Sequence, residues 1–165
     1  LVEDLLAAMI RAKREAARVA SKANLRNLAV CVAMHQAEWD GQWPTDLAAL
    51  VERYELPASA LVSPLRGRQP GTDEADLPQG ASDYVYVRYP GRSLPPRDLI
   101  LFYERPENYN NEGTCVALVD GKVTYLPFEE FRRRLQRSQT WAEATRAERR
   151  PGRSLRGRPR GRAGQ

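Results

Sequence analysis

Asp73, Glu74 and Asp76 put three acids into four residues, the densest set of carboxylates in the chain. Carboxylates crowded this way suit Ca²⁺, a hard cation that takes about six to eight oxygen ligands. The EF-hand spacing and its turn glycine are missing, so a solvated acidic loop is the preferred reading. The single histidine, His35, has no second imidazole with which to hold a metal. For the same reason Ser59, Ser63 and Ser82 have no evident base to activate them as nucleophiles. Paired carboxylates occur at Glu129-Glu130 and at Glu107 with Glu112. The first pair falls at a predicted helix start, where the dipole explains acids without catalysis. The second lies in a polar loop without the partners that a glycosidase or metal site would need. Tyr84, Tyr86, Tyr89 and Tyr103 could form a platform for a sugar, peptide or nucleobase, but cross-strand packing under a helix needs the same rings and is favoured. Cys31 and Cys115 lack metal-ligand spacing. They read as two small buried thiols or as one disulfide in an oxidising compartment. No catalytic, cofactor-binding or metal-ligating residue is nominated, and a non-enzymatic chain without a cofactor is expected.

Charge is unevenly distributed. The chain has a formal charge of +5 over 165 residues. From Arg132 onward there are 12 Arg against Glu143 and Glu148, a local +10, which leaves −5 on residues 1–131. The folded part is therefore acidic, and the basicity belongs to the end of the chain. Within that end, Arg156-Gly157-Arg158-Pro159-Arg160-Gly161-Arg162 contains the Arg-Gly-Arg-Pro core of an AT-hook, a pattern that fits the narrow minor groove of A·T-rich DNA. Arg156, Arg158, Arg160 and Arg162 are thus candidate nucleic-acid contacts. A disordered, solvated basic tail is the competing reading.

These groups need elements to carry them. Leu5 to Trp39 contains neither Gly nor Pro and is rich in Ala, Leu, Arg and Lys, which predicts one long helix. Leu25, Leu28, Val32 and Trp39, with Ala29 and Gln36 beside them, form an apolar stripe in its second half. Arg11 to Lys22 has only Ala and Val19 between charges, so this part is expected to project or fray. Asp40-Gly41 stops the helix, and Thr45 is the expected N-cap of a second, Asp46 to Tyr54, burying Leu47, Leu50, Val51 and Tyr54. Prolines and glycines from Leu56 to Ser82 predict loop. Strands are expected at Tyr84–Val87, Leu99–Tyr103, Cys115–Val119 and Lys122–Leu126. Asp120-Gly121 is the expected two-residue hairpin turn of the last pair. A short helix, Phe128 to Gln136, follows Pro127.

Arg11 to Arg18, reading RAKREAAR, with Asn24-Leu25-Arg26-Asn27-Leu28 and the closing Trp43-Pro44, resembles the post-membrane helix of prepilin-type proteins of the type II secretion pseudopilin class. Val116 to Leu126, reading VALVDGKVTYL, is similar to the C-terminal hairpin of the subgroup marked by a His, nine residues and Asp-Gly. Asn110 stands where that subgroup has its His, and Ser21 where a Cys is common, so no role attached to the histidine carries over. The resemblance, which covers roughly Arg11 to Leu135, implies a pilin-like α+β fold: a long N-terminal helix on a small antiparallel sheet of about four strands. With the disordered basic C-terminal tail read from its composition, the chain divides into a helix at 1–40, a globular region at 41–137 and a tail at 138–165. The resemblance also implies a structural subunit of a type II secretion or type IV pilus-like assembly, partnered by like subunits through the helix and by other secretion components. Such a protein is anchored in the bacterial cytoplasmic membrane, with its globular part periplasmic or extracellular. No stretch approaches the roughly 18 apolar residues that span a bilayer, so the chain reads as a fragment whose membrane segment lies upstream of Leu1. Nucleic-acid binding through the Arg-rich tail is the alternative function.

Overall fold

A computed structural model describes residues 1–66 and 82–149. The order of the main elements is α1 (Val2–Glu38), α2 (Leu47–Tyr54), β1 (Tyr84–Tyr86), β2 (Ile100–Glu104), β3 (Gly113–Leu118), β4 (Val123–Pro127) and α3 (Phe128–Arg149). The fold is α+β, a long N-terminal helix on a four-stranded antiparallel sheet, in agreement with the pilin-like expectation. The strands follow one another across the sheet in the order β1-β2-β3-β4.

Strand alternation decides which side chains meet which helix. Tyr84 pairs with Glu104 and Tyr86 with Phe102, while Cys115 pairs with Tyr125, and these residues face α1. Tyr103 points the other way and meets Phe131 of α3 with ring centroids 5.2 Å apart. The sheet is thus buried between two helices, and Ile100, Phe102, Cys115, Val116 and Ala117 are all fully enclosed. A bulge between Ile100 and Phe102 shifts the β2–β3 register.

Several boundaries differ from the sequence expectation. The α2 cap is Asp46, not Thr45: its Oδ1 accepts from the Ala49 N–H at 2.7 Å, satisfying one of the orphan donors of the first turn. The hairpin loop has three residues, not two. Leu118 C=O accepts from Gly121 N–H, Lys122 C=O accepts from Leu118 N–H, and only Gly121 (φ +85°) is left-handed. That is a type I turn closed by a glycine bulge. Pro127 ends β4, paired with Gly113, and α3 begins at Phe128.

The largest correction concerns α3, which does not stop at Gln136 but continues to Arg149. Residues 138–149 are therefore helix and not tail, and the globular region extends to 149. Its inward face runs Phe131, Leu135, Ser138, Ala142 at helical spacing, and the serine hid this periodicity. Ser138 Oγ–H donates to Arg134 C=O at 2.8 Å and the oxygen accepts from Ile100 N–H at 2.9 Å, so a polar residue sits in the core fully satisfied. One turn later Trp141 meets Tyr89 edge-on at 5.8 Å.

Candidate functional site

The candidate surface is the N-terminal half of α1. Residues 1–16 are exposed on every side of the helix, and Leu1, Val2, Leu5, Leu6, Met9 and Ile10 are among the large apolar residues left in solvent. Ala-rich composition without Gly or Pro keeps this half helical without a core beneath it. Glu3 and Asp4 lie in the first turn, where the helix dipole favours acids. Among the described residues, no helix is long and apolar enough to cross a membrane.

Burial starts where the helix reaches the sheet, and it starts with polar groups. Ser21 and Glu104 are both fully enclosed. Ser21 Oγ–H donates to Glu104 Oε2 at 2.5 Å, and the Tyr109 hydroxyl donates to the same oxygen at 2.5 Å. Asn108 Nδ2 donates to Oε1 at 3.2 Å. Because Ser21 has only one proton and gives it to the carboxylate, the Tyr84 hydroxyl 3.0 Å away must be the donor to Ser21 Oγ. Asn24 Nδ2 in turn donates to the Tyr84 oxygen at 3.1 Å. Donation therefore runs in one direction, from Asn24 through Tyr84 and Ser21 to Glu104. Burial pushes the Tyr84 phenol up to about 12. Burial and then the Glu104 charge push the Tyr109 phenol far up as well, so both stay protonated donors.

Arg18 covers this cluster. Its guanidinium lies 4.9 Å from the Tyr125 ring centre and 5.8 Å from that of Tyr109, within cation–π range. Beyond Ser21 the helix turns apolar, and Leu25, Leu28, Ala29 and Val32 seal the remaining seat. Trp43 then locks the exit, its Nε1–H donating to Ser93 C=O at 2.8 Å. Asp40 and Gly41, both at positive φ, turn the chain toward it. Trp39 is not part of the buried stripe. It is half exposed, with its ring stacked on His35 at 5.9 Å.

The other residues singled out from sequence do not converge. His35 is partly exposed; burial lowers its pKa, and Glu38 opposes that shift. Ser63 Oγ accepts from Leu65 N–H, Ser82 Oγ–H donates to Tyr84 C=O, and Ser59 is exposed on the surface. Glu130 pairs with Arg134 at 2.9 Å and Glu129 with Arg132 at 3.9 Å, while Glu107 is exposed in the 3₁₀ helix Pro106–Tyr109 and Glu112 in the bend that follows. Asn110 and Asn111 are consecutive left-handed turn residues, at φ +53° and +59°. Among the described residues, no group of three His, Cys, Asp or Glu could hold a metal ion.

Both cysteines are free and buried. The Cys115 thiol, raised by burial, shares its surroundings with Tyr109, Lys22 and Arg18, whereas Cys31 lies within reach of Tyr54 in α2. No disulfide joins them in this structure. Tyr84 and Tyr89 are buried, and Tyr86 packs on Phe102 with its hydroxyl donating to Pro44 C=O, so the tyrosines serve packing. Asp73, Glu74 and Asp76, and Arg156, Arg158, Arg160 and Arg162, lie outside the described residues.

No family model, curated protein or solved structure matches the chain. Sequence reasoning missed Glu104, Ser21 and Tyr109. Two signals were available. Ser21 continues the Leu25, Leu28, Val32 spacing one turn earlier, and Glu104 shares strand parity with Phe102 in the run ILFYE.

Proposed function

We propose that the chain is the globular part of a non-enzymatic, pseudopilin-like structural subunit of a type II secretion or type IV pilus-like assembly. The observation that carries this is the division of α1. One half is seated on the sheet through the Ser21–Glu104 cluster and the Leu25–Val32 stripe, and the other half, residues 1–16, is exposed on all sides with six large apolar residues. A helix held firmly at one end and bare at the other suits a rod that packs among neighbours. The resemblance of RAKREAAR and of the Val116–Leu126 hairpin to prepilin-type proteins points the same way. In this reading the membrane holds a continuation of the rod, and the sheet with its loops faces the periplasm or the exterior. Like subunits contact one another through α1, and other secretion or pilus components contact the sheet and loops.

Cell fractionation and protease accessibility test this reading. In its own cells the full protein should be recovered in the cytoplasmic-membrane fraction, with its globular part cleaved by protease added from outside that membrane. Recovery in the cytosol, or protection from the external protease, overturns it.

A further inference from the structure

The turn that receives Trp43 leaves one polar group unused. Pro90-Gly91-Arg92-Ser93 is closed by Ser93 N–H, which donates to Pro90 C=O at 3.0 Å, with Gly91 at φ +50° supplying the left-handed corner. Trp43 holds the turn from inside, its backbone N–H donating to Gly91 C=O and its indole N–H to Ser93 C=O, each at 2.8 Å. The Ser93 hydroxyl is left over: the residue is 5 % exposed, and its Oγ has no hydrogen-bond partner among the described residues. A buried hydroxyl without a partner destabilises a fold, so one in the wall of a cleft points to a ligand that completes it. Ser93 forms part of such a wall, in a cleft of about 570 Å³ between this turn and the last turns of α3. Across it stands Arg149, whose Nη1 takes the space that a Cβ on Gly91 would need. Arg146, three residues earlier, is committed to Arg88 C=O, whereas Arg149 has no ion pair or hydrogen bond to any described residue. Arg92, a second cation at the cleft, pairs with exposed Asp40 at 3.3 Å, a contact that solvent weakens.

We propose that this cleft takes the last residue of a peptide, its free α-carboxylate held between Arg149 and Ser93 Oγ. The donors set the sign of the ligand. Arginine nitrogens donate and never accept, so two guanidiniums beside an unused hydroxyl call for a strong acceptor, best a carboxylate. Glu148, at the same cleft, narrows the class. Its charge opposes a dianion such as phosphate, and its oxygens suit a ligand that carries an N–H close to its anionic end. A peptide terminus has both, on either side of one Cα. Trp141, half buried against Tyr89, and Leu94, 91 % exposed at the rim, supply apolar surface for the side chain of that residue. The site lies on α3 and the loop before β2, so it does not depend on the assembly role proposed above.

Titration of the full chain with the peptide acetyl-glycyl-glycyl-leucine, followed by ¹H–¹⁵N NMR at the Ser93 and Leu94 amides and the Trp141 indole, tests the proposal. The free acid should shift these signals and bind about tenfold more tightly than its C-terminal amide. Arg149→Gln should weaken binding of the acid by about tenfold with the melting temperature unchanged, since the side chain is exposed at the end of the helix. Ser93→Ala should weaken it several-fold while the melting temperature stays equal or rises, because an orphaned hydroxyl is removed. A fall in melting temperature in Ser93→Ala overturns the role given to that hydroxyl. Equal affinity for acid and amide overturns the carboxylate. Acetate that reproduces the shifts at the peptide's own concentrations, an adventitious anion only, overturns the peptide. No shift at about 10 mM peptide, a level that reveals even a millimolar site, overturns the cleft as a binding site altogether.

Discussion

Ser21 Oγ lies 2.5 Å from Glu104 Oε2 across the junction of helix and sheet, 83 residues apart in the chain. A carboxylate removed from water is tolerated only where donors replace its hydration, and Ser21, Tyr109 and Asn108 do so here. Ser21→Ala leaves the Tyr84 hydroxyl without its acceptor and should cost about 1–3 kcal/mol in urea unfolding. Glu104→Ala strands three donors at once and should cost more, about 3 kcal/mol or above. A loss below about 0.5 kcal/mol in Ser21→Ala, the level of an ordinary surface change, would contradict the cluster's role in seating α1.

Truncation separates the helix found after Arg137 from the tail expected there. A chain ending at Arg149 should unfold with the stability of the full chain. One ending at Arg137 loses Ser138, Trp141 and Ala142, uncovering Tyr89 and the Ile100 N–H. It should be destabilised by several kcal/mol, or about 3 at the least, from the Trp alone. Equal melting temperatures for the two would contradict the extended helix.

High pH should unfold the protein through its tyrosines. Burial raises Tyr84 and Tyr89 each to about 12, against an ordinary value of about 10 in the unfolded chain. Between those values the unfolded chain has released protons that the folded chain still holds, so stability falls as pH rises. The stabilisation is complete below about pH 10 and is lost by about 12, on the order of 2 kcal/mol for each tyrosine. Spectrophotometric titration with parallel circular dichroism should show these phenols ionising together with loss of structure. Ionisation near 10 with the fold intact would contradict their burial.

At the start of α2, Asp46→Ala should cost about 1 kcal/mol and Thr45→Ala only a few tenths, since Asp46 alone accepts from Ala49 N–H. Thermal melts of the two variants check this, and a reversed order would return the cap to Thr45.

Elements with one clean period were legible in the chain before any coordinates. The uninterrupted Ala, Leu and Arg of α1, the apolar Leu99–Tyr103 strand and the Asp120-Gly121 hairpin all carry one dominant local signal. What escaped was polar chemistry hidden in apolar periods. Ser138 ended the apparent helix at Gln136 because a serine on the inner face breaks a hydrophobic count, although its bonds to Ile100 and Arg134 make it a core residue. Glu104 and Ser21 escaped for the same reason: each is acceptable inside only because the other is there, and sequence adjacency shows nothing of that. The choice of Asp46 over Thr45, and of a three-residue loop over a two-residue one, turned on backbone angles that neighbouring residue types do not separate. Trp39 fitted the helical spacing, yet it stands half exposed with its ring stacked on His35.

The strand order has a consequence for synthesis. Strands β1 to β4 and α3 occupy one continuous stretch, residues 84–149, and each strand joins its neighbour in sequence, so these elements can find one another by short searches. The first helix is the opposite case. It leaves the ribosome ahead of everything it will rest on, and its seat does not exist until Glu104, Tyr109 and Cys115 have been translated. Until that moment its inner stripe stands open to whatever chaperone or sister chain is nearby.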